Sequence, residues 1–206
     1  MDALHDRPAA AAVARGGRAV TTATGGGGTT ASRFQIASVS KVFAAALTML
    51  LAEDGVLSPA DPVDRWLPGA RTGMTIHHLL SHTSGVGHWD DMTGTGDIWS
   101  TVDDLLAVAR VLTGGALIGP ESLREMRTPH ATLPEPERTP DGRLVISGYG
   151  YGLYVATLDG DPAWLHTGDV PGYRSLIGWF PGDVTMACLA ADETVPWPEM
   201  VPTLLG

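Results

Sequence analysis

The sequence places a serine and a lysine three residues apart at the start of an apolar segment. This segment begins Ser38-Val-Ser-Lys41 and continues without glycine or proline to Asp54. Positions three apart share a face of a helix, so the Ser38 hydroxyl and the Lys41 amine would come within hydrogen-bonding distance. Burial disfavours an ammonium ion and lowers its pKa, which lets a neutral Lys41 accept the serine proton. The spacing therefore predicts an activated serine nucleophile.

The alternative is that Ser38 is an ordinary helix N-cap and Lys41 an ordinary first-turn residue. Two features argue against it. A capping box has Glu or Gln three residues after the cap, and Lys41 is the only lysine in the sequence. Arginine keeps its proton, whereas a lysine can lose it and act as a base. Because Ser-x-x-Lys is a short motif, its spacing alone leaves both interpretations open.

Length and composition favour one globular domain. The chain has 206 residues, of which 44% are apolar, enough to form a core. Its net charge of -10, with no basic cluster, disfavours nucleic acid or an anionic membrane as a partner. The first residues lack the cations of a signal peptide, so we expect a cytoplasmic protein unless a leader was removed. Cys188 is the only cysteine and lies in an apolar run, which predicts a buried strand residue.

The predicted elements run from strands to helices and back to strands. We expect strands at 9–14, 18–23, 149–157, 163–166, 173–180 and 184–190, and helices at 38–54, 75–80 and 101–113. Ser100 is expected to cap the last of these helices, and the proline-rich stretch 129–140 is expected to be a loop. This order predicts an α+β fold, in which both termini form an antiparallel sheet and the middle helices pack on it.

Several stretches resemble the serine β-lactamase-like family, which includes class C β-lactamases, D-alanyl-D-alanine peptidases and related esterases. The residues that carry the resemblance are 34–41, 57–64, 75–85, 100–106, 151–153 and 165–175. The last of these stretches contains a His-Thr-Gly form of the family's third motif. The resemblance extends in order over nearly the whole chain, and it implies a β-lactamase/penicillin-binding-protein-like fold for residues 1–206 as a single domain.

The resemblance also implies roles for individual residues. Ser38 would be the acylated nucleophile and Lys41 its base. The oxyanion hole would consist of the backbone N–H groups of Ser38 and Asp169, directed at the charge that develops on the carbonyl oxygen.

The third motif implies one wall of the cleft. The strand with His166, Thr167 and Gly168 would line it, so His166 is a catalytic candidate and its neighbours are candidates for substrate binding. Arg174 is a further candidate, for binding a substrate carboxylate. The alternatives are a buried core histidine at 166 and an exposed strand arginine at 174.

The sequence departs from the family between Gly85 and Ser100. Family members carry a long helical insert here with a Tyr-x-Asn motif, whose tyrosine relays protons to the leaving group. Residues 86–99 contain no tyrosine, which predicts a shortened member that lacks one wall of the cleft. His88-Trp-Asp90 has the same spacing, and the His88 imidazole is able to shuttle a proton. The alternative is a polar loop anchored by its tryptophan.

Three functions are compatible with these residues. The favoured one is a serine hydrolase that acts through an acyl-enzyme on small esters, amides or β-lactams. Esterase-like activity is preferred, because the third motif has histidine where strong lactamases usually have lysine. The others are a non-catalytic binding module and an enzyme completed by a second copy in a homo-oligomer.

The expected partner is a small acyl substrate, with neither nucleic acid nor membrane. We expect no cofactor. We also expect no metal, because no pair among His77, His78 and His82 is backed by a carboxylate at zinc spacing.

Overall fold

The structure is a computed structural model that describes residues 6–86 and 98–205. Its strands are β1 (Ala9–Arg15), β2 (Arg18–Gly25), β3 (Phe34–Gln35), β4 (Trp99–Ser100), β5 (Ala131–Arg138), β6 (Leu144–Tyr149), β7 (Tyr154–Leu158), β8 (Asp161–Val170), β9 (Tyr173–Phe180) and β10 (Val184–Ala190). Its α-helices are α1 (Ser40–Glu53), α2 (Ile76–Leu80), α3 (Val102–Thr113), α4 (Pro120–Arg127) and α5 (Trp197–Leu205). In the described ranges, 3₁₀ turns occupy Ala37–Val39 and Val63–Arg65. No helix in the described ranges is long and apolar enough to cross a membrane.

Strands from both ends of the sequence lie side by side in one antiparallel sheet. Its order is β2-β1-β10-β9-β8-β7-β6-β5, and β3 and β4 form a separate pair. β1 pairs with both β2 and β10, so that Ala9 lies opposite Ala190. The predicted α+β fold, an antiparallel sheet formed by both termini with helices packed on it, is confirmed.

The sheet is covered on both faces, which explains why β1 and β10 are almost entirely apolar. Ala10 and Ala12 of β1 pack in the cluster that contains α1 and α3, whereas Ala9 and Ala11 pack in the cluster that contains α5. This alternation follows from the two-residue period of a strand. Cys188 is buried in β10, as its apolar run predicts.

The expectation of a loop at 129–140 is wrong, because this stretch contains β5. Among the described strands, it lies at the edge of the sheet and pairs with β6. Its register shifts between Thr132 and Glu137, and Pro134 and Pro136 lie within that shift. A proline has no N–H to donate, but an edge strand can accommodate it because only one side is paired.

The expected strand at 149–157 is divided in two. β6 ends at Tyr149 and β7 begins at Tyr154, and between them Gly150 N donates to Leu153 O at 2.8 Å.

The helices α4 and α5 were not predicted from the sequence. In α5, Pro202 lies inside the helix and weakens the helical signal.

The cap of α3 is Thr101 rather than Ser100. The Thr101 side chain accepts a hydrogen bond from Asp104 N at 3.0 Å. Neighbouring serine and threonine residues are both good caps, so composition did not separate them. The expected cap of α2 is confirmed, because the Thr75 side chain accepts from His78 N.

Thr101→Ala should lower the free energy of unfolding by about 1 kcal/mol, because it removes a cap from an otherwise unpaired helix N–H group. Ser100→Ala is the matched control and should have a much smaller effect. Urea denaturation of both variants measures the difference. Equal losses would contradict the assignment of Thr101 as the cap.

Candidate active site

The candidate nucleophile lies immediately before the most apolar helix. Ser38 is in the 3₁₀ turn Ala37–Val39, and Lys41 is in the first turn of α1. Lys41 Nζ is 2.7 Å from Ser38 Oγ, and both side chains are half-buried. The helical spacing thus brings the hydroxyl and the amine together, although the α-helix begins at Ser40 rather than at Ser38.

The turn that carries Ser38 has a strained backbone. Ala37 is fully buried and has φ of 45°, in the left-handed region that non-glycine residues seldom adopt. Such a conformation costs on the order of 1–3 kcal/mol and persists only where its surroundings enforce it. The preceding Ile36 carbonyl accepts from Val39 N at 3.0 Å and from the Ser175 hydroxyl at 2.7 Å. The Ser175 hydroxyl of β9 therefore helps to hold the turn that carries Ser38.

β8 approaches this turn so closely that only glycine fits at position 168. A Cβ atom on Gly168 would be 2.3 Å from both Ile36 O and Ser175 Oγ, and 3.0 Å from Ser38 N. Asp169 directly follows. The N–H groups of Ser38 and Asp169 are predicted to form the oxyanion hole. The backbone segments that carry them therefore lie side by side.

The environment of Lys41 shifts its amine towards the neutral form. Burial lowers the pKa of Lys41 because it removes water from the ammonium form. Among residues 6–86 and 98–205, no carboxylate forms an ion pair with it. Its described polar partner is Ser38 Oγ, so the arrangement suits proton transfer from the hydroxyl.

A turn between β6 and β7 packs against the backbone of Lys41. A Cβ atom on Gly152, which has φ of 66°, would be 2.5 Å from Lys41 O and 2.8 Å from Ala45 Cβ. The preceding Tyr151 has its hydroxyl 2.7 Å from His77 Nδ1 of α2. Two stretches that resemble the family, 75–85 and 151–153, therefore meet beside α1.

His166 is buried with both ring nitrogens in hydrogen bonds. Its Nδ1 is 2.6 Å from Thr167 O, and because a carbonyl only accepts, Nδ1 carries the proton. Its Nε2 is 2.8 Å from the Tyr149 hydroxyl, which donates to it. Burial lowers the pKa of His166 to about 4, although the hydrogen bond to Thr167 O opposes this shift. Burial also raises the pKa of Tyr149, so the phenol keeps its proton.

These contacts determine the protonation state and the orientation of the histidine in the third motif. His166 is neutral near pH 7, and its ring is fixed by a tyrosine that the sequence analysis did not include. Tyr154 also packs on His166, with ring centroids 5.0 Å apart. The sequence does contain tyrosines at 149, 151 and 154 as candidate partners for His166. Only the register of β6, β7 and β8 shows which of them binds it. The catalytic role of His166 stays a prediction.

The substrate-binding candidates lie in different surroundings. Thr167 lines a cavity of about 260 Å³ together with Tyr154 of β7 and Glu199 of α5. Arg174 Nη2 is 3.1 Å from an Asp169 carboxylate oxygen, across β8 and β9, and Nη1 donates to Val195 O at 3.3 Å. A substrate carboxylate would compete with Asp169 for this guanidinium. These roles also stay predictions.

One candidate lies outside the described residues. This is His88, with its neighbour Asp90, so the proposed replacement for the missing tyrosine is not placed. Within the described ranges, no group of three or more His, Cys, Asp or Glu side chains is arranged to hold a metal ion.

The buried state of His166 predicts a dependence of stability on pH. Its pKa is about 4 in the folded protein and about 6.5 in an unfolded chain, so the unfolded state binds more protons between these values. The stabilisation is complete above about pH 6.5 and is lost as the pH falls towards 4. Over this window, the wild type should lose roughly 3 kcal/mol more than His166→Gln, by urea denaturation. Parallel curves for the two proteins would contradict a neutral His166.

Comparison with curated proteins finds four local similarities, which include a penicillin-binding protein and an esterase. The chain is 55% identical over 58 residues to a penicillin-binding protein of Bacillus subtilis (strain 168), covering 28% of this chain and 13% of that protein. It is 40% identical over 74 residues to Esterase EstB of Burkholderia gladioli, covering 32% of this chain and 19% of the esterase. The chain therefore matches less than a fifth of the length of either relative.

Comparison with solved structures supports the fold. The octameric penicillin-binding protein homologue from Pyrococcus abyssi superposes with a TM-score of 0.79 at 18% identity, covering 97% of this chain and 73% of that one. A family model described as Beta-lactamase matches residues 1–94 and 87–196. Since these matches include most of the sequence, the chain belongs to the β-lactamase family.

Proposed function

We propose that the protein is a serine hydrolase that forms an acyl-enzyme on Ser38, with Lys41 as the general base. The observation that carries the proposal is the 2.7 Å contact between Ser38 Oγ and Lys41 Nζ. Lys41 is the only lysine in the sequence, and burial lowers its pKa. An amine that can be neutral, held against a serine hydroxyl, is the arrangement that generates an alkoxide-like nucleophile.

The proposed acylation step moves one proton and exchanges one bond. Ser38 Oγ attacks the acyl carbonyl carbon while its proton passes to Lys41 Nζ. The N–H groups of Ser38 and Asp169 stabilise the negative charge that develops on the carbonyl oxygen. As the bond to the leaving group breaks, the Lys41 ammonium returns the proton to the departing atom. Water then attacks the acyl carbonyl carbon while its proton passes to Lys41 Nζ. The bond to Ser38 Oγ breaks, Lys41 returns the proton to this oxygen, and the carboxylic acid product leaves.

Small esters are the preferred substrates in this proposal, with amides and β-lactams as the wider class. The pKa of His166 is about 4, so the third motif offers no positive charge near pH 7. A β-lactam antibiotic carries a carboxylate, and a positively charged side chain in the third motif would help to bind it. Arg174 is already paired with Asp169. An uncharged ester has no such requirement, and one curated relative is named an esterase.

A homo-oligomer is the alternative in which a second copy completes the cleft. The solved relative from Pyrococcus abyssi is described as octameric. If completion in trans is needed, the specific rate of this protein will rise with its concentration. If the protein is a binding module instead, it will form no adduct with an acylating or phosphonylating reagent.

Ser38→Ala should abolish the covalent adduct that a fluorophosphonate forms with the intact protein, read by mass spectrometry. Ser40→Ala is the matched control, because Ser40 lies in the same segment and should be dispensable for labelling. The unfolding transition of each variant shows whether it is folded. An adduct that persists in Ser38→Ala and disappears in Ser40→Ala would overturn the assignment of the nucleophile.

Lys41→Arg should slow acylation by roughly 10²–10⁴-fold, because a guanidinium stays protonated and cannot accept the serine proton. In the wild type, the rate of acylation should rise with pH as Lys41 loses its proton. Since burial lowers the pKa of Lys41, the midpoint should lie below the free-lysine value of about 10.4. Stopped-flow hydrolysis of a p-nitrophenyl ester gives this profile, and a flat profile would exclude Lys41 as the base.

A further inference from the structure

A second cavity lies between the end of α3, the helix α4 and the strand β8. Its volume is about 770 Å³, within the range of about 300–1,000 Å³ typical of small-molecule sites. None of the residues assigned to the active site lines it. Its apolar walls include Ile118, Pro120, Leu123, Pro129 and Trp164, and the charged groups that line it are Arg124 and Arg127.

Arg127 and Trp164 form a fixed pair at this cavity. The guanidinium carbon of Arg127 is 4.3 Å from the centre of the Trp164 ring. The indole Nε1 of Trp164 donates to Arg127 O at 3.1 Å, which ties the ring to the backbone of the same residue. Stacking covers one face of a guanidinium and leaves the N–H groups at its edge able to bind an anion.

The charge of Arg127 is not neutralised by the described part of the chain. Within residues 6–86 and 98–205, Arg127 forms no ion pair, and its Nε is buried without a hydrogen-bond partner. Its neighbour Arg124 is different, because it pairs with Glu121. Burial lowers the pKa of Arg127, a sign that water is partly excluded from the guanidinium. A desolvated cation without a counter-ion is unfavourable, so an anion would be bound favourably here.

The surroundings favour a singly charged anion with an apolar body. One unpaired guanidinium matches a carboxylate, which it can bind through two parallel hydrogen bonds. Gly114, at the carboxyl end of α3, also lines the cavity, and the partial negative charge of this helix end opposes a doubly charged anion such as phosphate more strongly than a carboxylate.

We propose that this cavity binds a small aromatic or branched aliphatic carboxylate, with its carboxylate on Arg127 and its apolar body against Trp164. This site goes beyond the proposed hydrolase activity and does not depend on it. Trp164 lies two residues before His166 in β8, so the ligand would contact the strand that also carries the third motif.

The test compares two probes of nearly the same size that differ in charge, 1-naphthaleneacetate and 2-(1-naphthyl)ethanol. Neither has an ester or amide bond, so the wild-type protein can be used without consuming them. Calorimetric titration should show that the carboxylate binds at least tenfold more tightly than the alcohol. Arg127→Gln should remove this preference, whereas Arg18→Gln, at an exposed position of β2, should retain it. Equal affinity of the two probes for the wild type would overturn the proposal.

A second measurement avoids substitution altogether. Phenylglyoxal modifies accessible arginines, and peptide mass spectrometry locates each adduct. Saturating 1-naphthaleneacetate should slow the modification of Arg127 at least fivefold and leave that of Arg18 unchanged. If Arg127 does not react in the free protein, or reacts equally fast with the probe present, the proposal is wrong. Labelling of Ser38 by a fluorophosphonate reports separately on the hydrolase function.

Discussion

The close approach of β8 to the turn before α1 determines the geometry of the whole site. At Gly168 the strand comes so near to Ile36 O and Ser38 N that no Cβ atom fits. The neighbouring strand supplies the Ser175 hydroxyl, which binds the same Ile36 carbonyl. The sheet thus constrains the strained backbone at Ala37 and presents Ser38 beside Asp169. The packing of the sheet on this turn, more than the helix itself, positions Ser38.

Burial shifts the pKa values of three titratable groups in the site. It lowers the pKa of Lys41 and of His166, and it raises the pKa of Tyr149. All three groups are therefore shifted towards their neutral forms. Next to the third motif, the charges of Asp169 in β8 and Arg174 in β9 neutralise one another across the sheet. These electrostatic features are the basis of the proposed preference for uncharged acyl substrates.

Features set by local spacing could be predicted from the sequence, and features set by strand register could not. The contact of Ser38 with Lys41 follows from helical periodicity, and the strands expected at 173–180 and 184–190 are β9 and β10. The partner of His166 depended on how β6, β7 and β8 align, so Tyr149 was missed. The prolines of β5 concealed a strand because the sequence does not state which strands lie at an edge.

The hydrogen bond from Ser175 to Ile36 has a consequence for how the molecule folds. Its two residues are 139 positions apart, and β1 likewise pairs with β10 from the other end of the sequence. Contacts of such long sequence separation form slowly, because the entropy of closing a large loop must be lost before they stabilise the chain. The isolated segment of α1 can become helical early, but the turn that carries Ser38 gains its final shape only when the last strands have joined the sheet. We therefore expect the turn that carries Ser38 to be completed late in folding.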